Sequence, residues 1–204
     1  MAAVSASERT PRGQGDMLRE RLLQSGVDLV CESGDPTDLS IRAVTRHAGV
    51  SPTALYLHFA NRDEYMRALL ARGFAEFRTA LGRAAEGATR PGERLRLAGL
   101  AYIAFARELP AVYDLIFGPG SALTLEGPKP PEADAAFDDL LALVADYLGP
   151  ERAAREDLLG LSRGMWTGMH GYVTLRRARP NVDWGDERHY AEALSRAWLG
   201  EPGV

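Results

Sequence analysis

Few side chains in this sequence are spaced so that they could do chemistry together. The densest group is Tyr56, His58 and Arg62 in the run LYLHFANR, with Arg42 and Arg46 shortly upstream. Between Ser40 and Arg62 there are three arginines and no acidic residue, a local +3 inside a chain of net charge −4, so the remainder must carry −7. Guanidinium, phenol and imidazole groups without a competing carboxylate are donors for an anion, and a basic patch on an acidic body gives that anion a place to dock. Catalytic arrangements are missing by comparison. There is no Gly-x-Gly-x-x-Gly, P-loop or His-Glu-x-x-His motif, and no Glu-x-x-His pair of the kind that builds di-iron bundles. His47, His58, His170 and His189 are far apart in sequence, and the one cysteine, Cys31, excludes an internal disulfide framework. Cys31 reads as a small buried hydrophobe of the first helix. The chain is therefore expected to be no enzyme, with no catalytic residue, metal or cofactor.

The elements around this donor group are legible. Ser40 is a good N-cap for a two-turn helix over Ile41–Ala48, and Gly49 breaks it. Ser51 caps the next helix, Pro52 takes its first position, where a missing N–H costs nothing, and the pattern runs to about Phe59. Asn61 can cap a third helix reaching about Ala85, whose N-terminus Asp63 and Glu64 favour. Two short helices joined by a tight glycine-containing turn form a helix-turn-helix pattern. Ile41, Val44, Val50, Leu55 and Phe59 can pack on the preceding helix. With 3.6 residues per turn, their neighbours rotate outward, so Thr53, Tyr56 and Leu57 line a face that fits a major groove. The N-terminus of the helix that Ser51 and Pro52 open offers the backbone N–H groups of its first turn, that of Thr53 among them, to a phosphate. Tyr56, His58 and Arg62 can hold phosphate oxygens. Thr53 and Leu57 can meet base edges or a thymine methyl, each good base contact giving about 1–3 kcal/mol of discrimination. His47 precedes the turn and is expected to be structural or solvent-facing.

Helical periodicity dominates the remaining chain, and strand alternation is nearly absent. Residues 1–14 read as a flexible arm. A first helix spans Asp16–Ser33, with Leu18, Leu22, Gly26 and Val30 in one row. After the break EGATRPGE a helix leads to Pro110, followed by the short apolar AVYDLIF. The stretch from Ser121 to Asp134 reads as a surface loop, Ala133–Leu148 as an amphipathic helix, and Glu151–Arg177 as the longest pattern, about 40 Å if continuous. Asp186–Leu199 closes the count at about nine helices. The domain reading is an arm over 1–14, a helix-turn-helix domain over 15–62 and a larger helical domain over 63–204, joined through the Asn61–Ala85 helix. Within the larger domain, aromatic and polar side chains lie on apolar stripes: Tyr102 and Phe105; Tyr113 and Phe117; Trp166, Met169 and His170. Such stripes are core in most proteins, but a largely apolar cavity with a few polar groups is also what a small-molecule site requires.

At these residues a resemblance becomes specific. The segment SIRAVTRHAGVSPTALYLHFANRDEYMRALL closely resembles the DNA-binding domain of the TetR family of bacterial transcriptional repressors. The Gly49-Val50 turn, the Leu55-Tyr56-Leu57-His58-Phe59 helix and the Asn61-Arg62 opening of the next helix match in register. Arg62 stands where the family usually has lysine, which keeps the charge with a different geometry. Arg42 matches a position that in the family often contacts DNA. The C-terminal segments AYIAFARELPAVYDLIFG and GMWTGMHGYVTL look like the ligand-binding domain of the TetR subgroup named for a Trp-His-Gly signature, here Trp166, His170 and Gly171. The resemblance implies a homodimer, paired through 151–177 and 186–199, on a palindromic operator in double-stranded DNA. Gly160, Gly164 and Gly168 would permit close approach on that face. It also implies release by a small, largely apolar effector. The alternatives are a TetR-like ligand-binding module that has lost DNA binding, or an all-α enzyme.

Composition is that of an ordinary globular chain: 46% hydrophobic and 25% charged over 204 residues. The N-terminal stretch has no apolar core for a signal peptide, and no apolar run reaches the roughly 18 residues of a membrane span. The expected location is the cytoplasm, at the nucleoid through DNA binding, with no membrane partner.

Overall fold

The computed structural model describes residues 12–118 and 128–202, and among them there are ten α-helices, one 3₁₀ turn and no strand. In chain order these are α1 (Arg12–Ser33), the 3₁₀ turn Pro36–Asp38, α2 (Ile41–His47), α3 (Pro52–Tyr56), α4 (Arg62–Ala85), α5 (Pro91–Glu108), α6 (Pro110–Phe117), α7 (Pro131–Leu148), α8 (Pro150–Ala153), α9 (Leu158–Ala178) and α10 (Glu187–Leu199). The all-α expectation holds, with a helix-turn-helix unit at the N-terminus and a helical C-terminal domain.

Local chemistry sets the first boundaries. Ser40 accepts from the Ala43 N–H, Ser51 from Ala54 and Asn61 from Glu64, each satisfying an otherwise orphaned donor. The α2–α3 turn closes as a left-handed C-terminal motif. Gly49 has φ +68°, its N–H reaches Arg46 O at 3.1 Å, and Val50 N–H reaches Thr45 O at 2.9 Å. α3 is shorter than the pattern suggests. It ends at Tyr56, and the His58 and Phe59 N–H groups both return to Leu55 O, at 2.9 and 3.0 Å. This closure turns Phe59 inward, edge-on to Tyr65 with ring centroids 5.1 Å apart.

Three other boundaries differ. α1 begins at Arg12, inside the expected arm, and residues 1–11 lie outside the described part. Of the expected 121–134 loop, 121–127 lie outside it, 128–130 are non-helical, and Pro131 starts α7. The 151–177 pattern is not one helix: α8 ends at Ala153, and Asp157 caps α9 by accepting from Gly160 N–H at 2.9 Å. The break is fixed by Arg152, which donates to Leu199 O at 2.7 Å and Glu201 O at 2.8 Å, tying α8 to the end of α10.

Buried side chains of α1–α4 continue without interruption into those of α5, α6 and α9. α4 packs on both α1 and α5, and α6 lies against α1, α4 and α5. A second cluster joins Leu95, Val144, Tyr147, Leu148, Met165 and Leu199. Cys31 is exposed, contrary to expectation, because one step past the buried Val30 turns it to the outer side of α1. Gly164 and Gly168 do allow a close approach, but of α10 from the same chain. A Cβ would lie 2.5 Å from the Trp198 ring at Gly164, and 2.6 Å from Leu194 Cδ1 at Gly168, while one at Gly160 would meet its own cap, Asp157.

Candidate nucleic-acid interface and internal cavity

The packing of α2 and α3 divides their side chains. Val44, Leu55 and Phe59 are buried, with Ile41 and Val50 packed beside them. The other side is bare: Ser51, Pro52, Thr53, Tyr56, Leu57, Arg42 and Arg62 are all exposed. Leu57 is 80% and Tyr56 49% exposed. Arg42, Arg46 and Arg62 have no ion pair among the described residues, whereas Arg72, Arg78, Arg94 and Arg177 of the body each meet a carboxylate. His58 differs from the other residues of this group. It is half-buried, and its Cε1 lies 3.7 Å from where a Cβ on Gly15 would stand, so its ring leans toward the start of α1. His47 is exposed, with Nε2 3.8 Å from Glu32 of α1.

A cavity of about 1070 Å³ lies among α4, α5, α7, α9 and α10. Of the seven effector residues expected, Tyr102, Phe117, Trp166 and Met169 line it. Phe105 lines a separate, shallower groove between α1, α4 and α5, because it sits three positions past Tyr102 and faces α1. Tyr113 and His170 do not line the cavity either; they stand behind Tyr102. The Tyr102 and Tyr113 hydroxyls are 2.9 Å apart, and Tyr113 Oη is 2.7 Å from His170 Nδ1. Burial pushes the Tyr113 phenol up to about 12 and the Tyr102 phenol well above its usual 10, and lowers His170 from its usual 6.5, with Asp114 acting against that. All three are neutral near pH 7.

The lining also includes Phe74, Phe77 and Leu81 of α4, and Phe137 and Leu140 of α7. In sequence α4 reads as a link and α7 as an amphipathic helix. The Phe74–Phe77 pair at helical spacing was the available signal. Two ion pairs cross the wall, Arg78 with Asp139 and Arg94 with Asp146. Among the described residues no group of three histidine, cysteine or acidic side chains is placed to hold a metal ion. None of the helices among them is long and apolar enough to cross a membrane.

Residues 33–69 match the family described as bacterial regulatory proteins, tetR family, and residues 95–197 match the tetracyclin repressor-like C-terminal domain. The second description does not single out the Trp-His-Gly subgroup. No curated protein matches the chain. Among solved structures, a protein of unknown function from Rhodococcus sp. RHA1 is 26% identical, with TM-score 0.70 over 91% of this chain and 96% of its own. A TetR family transcription regulator from Marinobacter aquaeolei VT8 is 17% identical, with TM-score 0.66 over 95% and 100%. A TetR-family transcriptional regulator from Streptomyces coelicolor is 22% identical, with TM-score 0.62 over 90% and 98%; these last two likenesses speak to the fold alone. With a helix-turn-helix unit at one end and a matched C-terminal domain covering half of its length, the chain belongs to the TetR family of bacterial transcription regulators.

Proposed function

We propose that the chain is a ligand-responsive repressor that binds a palindromic operator as a homodimer. The observation that carries this is the bare side of α2 and α3: an exposed Tyr56–Leu57 pair flanked by arginines without ion pairs among the described residues, on helices whose opposite side is buried. An exposed leucine in that setting suits a groove with thymine methyls. Thr53 and Leu57 read bases. Arg42, Ser51, Pro52, Tyr56 and Arg62 hold the backbone, with His58 at the edge. One such helix gives limited affinity, and two related by symmetry read two half-sites at fixed spacing. The dimer forms through the outer faces of α9 and α10, where Leu159, Leu175 and Trp198 are exposed.

The cavity takes a small, largely apolar effector that favours the conformation unable to bind DNA. α4 runs from the helix-turn-helix unit, which ends near residue 62, to the cavity wall at Phe74 and Phe77, and carries the change between them. The test is a mobility shift with DNA flanking the chain's own gene, at several salt concentrations. A discrete complex that survives competitor DNA and tightens at low salt is expected. Tyr56→Ala and Arg62→Ala should lose it with the helical spectrum intact; retention in both would refute the assignment.

A further inference from the structure

The inner end of the cavity carries a specific chemistry. Phe77 meets Tyr102 edge-on at 5.4 Å, Phe117 stacks on Tyr102 at 6.0 Å, and Trp166 lies 6.2 Å from Phe117 and 5.9 Å from Phe137. These rings form flat, parallel and edge-on surfaces suited to another ring. Among the described residues, the polar groups at this end are the Tyr102–Tyr113–His170 chain, with Tyr102 Oη also 3.5 Å from His170 Nδ1, and the Trp166 indole N–H that bonds to Tyr102. A phenol has one donor and two acceptor sites; Tyr113 takes one and the Trp166 indole N–H takes an acceptor, which leaves Tyr102 a single site for a ligand. Along the described wall the formal charges of the lining residues are equal in number: Arg78 pairs with Asp139 and Arg94 with Asp146, and Lys129, Arg163, Glu86 and Asp134 complete the set. The charged groups behind Tyr113, Asp114 and Arg177, are bonded to each other twice, at 2.7 and 2.6 Å. Paired in this way, neither Asp114 nor Arg177 is free to neutralise an ionised ligand.

We propose that the cavity selects a neutral, flat aromatic molecule bearing a hydroxyl group, held by Tyr102 and oriented by the Tyr113–His170 pair behind it. This rests on reading the cavity as the effector site. The polarity of the chain follows the imidazole tautomer. With the proton on Nε2, Tyr113 donates to Nδ1, Tyr102 donates to Tyr113, and the Tyr102 oxygen accepts from the ligand. With the proton on Nδ1, each bond reverses and Tyr102 donates to the ligand. A hydroxyl satisfies both arrangements, whereas a carbonyl satisfies one. A carboxylate can only accept, and it brings a charge into an apolar enclosure.

Equilibrium dialysis of the purified full chain against naphthalene, 2-naphthol and 2-naphthoate tests this. Naphthol should bind about 3- to 10-fold more tightly than naphthalene, the worth of one net hydrogen bond, and naphthoate most weakly. Tyr102→Phe should bring naphthol and naphthalene to equal affinity, and Tyr113→Phe should narrow their ratio, a readout that mere loosening of the fold would not move. The wild-type order alone keeps the test decisive if a variant folds poorly. Tightest binding of naphthoate, a naphthol preference surviving in Tyr102→Phe, or no binding by any of the three would each overturn the proposal. A mobility shift with the same compounds separates the two readings. The expected binding order without DNA release upholds this cavity chemistry and refutes effector control. DNA release by other compounds, with the order absent, does the opposite.

Discussion

Substituting Gly26 by alanine should destabilise this protein, although helix propensity alone predicts the reverse. Gly26 lies inside α1, where alanine is favoured by about 1 kcal/mol. However, a Cβ there would run into the hydroxyl oxygen of Tyr65 and stand 3.0 and 3.2 Å from the two methyls of Leu69. Tyr65 is fully buried, donates to Leu22 O at 3.0 Å and supports Phe59 at the end of α3. Overpacking costs about 1–3 kcal/mol, and a Tyr65 driven off Leu22 leaves a buried hydroxyl unpaired at about 1–3 kcal/mol more. Less the propensity gain, Gly26→Ala should cost about 1–5 kcal/mol in urea denaturation. The decisive partner is Tyr65→Phe, which deletes the obstructing oxygen. In that background the alanine meets only the adjustable Leu69 methyls, and its cost should fall to within about 1 kcal/mol of zero. The same cost in both backgrounds would show that Tyr65 is not the obstacle and refute the reasoning. Because Tyr65 holds Phe59, the single variant should also retain DNA less well than its stability explains.

Three further outcomes are expected. Ser51→Ala removes the cap on Ala54 N–H and should lower stability by about 0.5–2 kcal/mol, read from the denaturation midpoint, while Ser51→Asp should largely restore it. Gly164→Ala places a Cβ against the Trp198 ring; it should cost about 1–3 kcal/mol and shift the tryptophan emission, and a raised melting temperature would count against the α9–α10 packing. His170 is held below its usual 6.5 chiefly by burial, so the folded state prefers the neutral imidazole. Its contribution is therefore fully present above that value and lost as pH falls through it toward the folded value. His170→Gln should show a smaller fall in melting temperature between about pH 7.5 and pH 5, and an unchanged fall would mean that other groups carry the acid sensitivity.

What could be read from the sequence was whatever a few neighbouring residues decide. Ser40, Ser51 and Asn61 cap the helices they precede, and Gly49 takes the left-handed conformation that ends α2, because these geometries are settled within three or four residues. The division of α2 and α3 into buried and bare sides followed from the helical period alone. The break before α9 was not legible: the residue that pins α8, Arg152, finds its partners at Leu199 and Glu201, 47 and 49 positions away. The glycine row of α9 announced a close approach but not by what, and the occupant proved to be α10 of the same chain.

The cavity shows the limit most clearly. Periodicity groups Trp166, Met169 and His170 on one stripe, and Tyr102 with Phe105 on another, yet the cavity takes Trp166, Met169 and Tyr102 and leaves His170 and Phe105 out. Around the helix axis Tyr102 and Phe105 stand about 60° apart, and Met169 and His170 about 100°, which is enough to separate a wall from the layer behind it. Which falls where depends on how far apart α4, α5, α7, α9 and α10 are held, and no single helix records that distance. What the stripe did preserve is the chemistry. Tyr113 and His170 stand out in the sequence as polar groups among apolar neighbours, and they reach the cavity wall through the hydroxyl of Tyr102 without lining it themselves. A buried polar group must find a partner. Here that requirement draws three residues from α5, α6 and α9 into one chain of hydrogen bonds, ending at the Tyr102 side chain that lines the cavity.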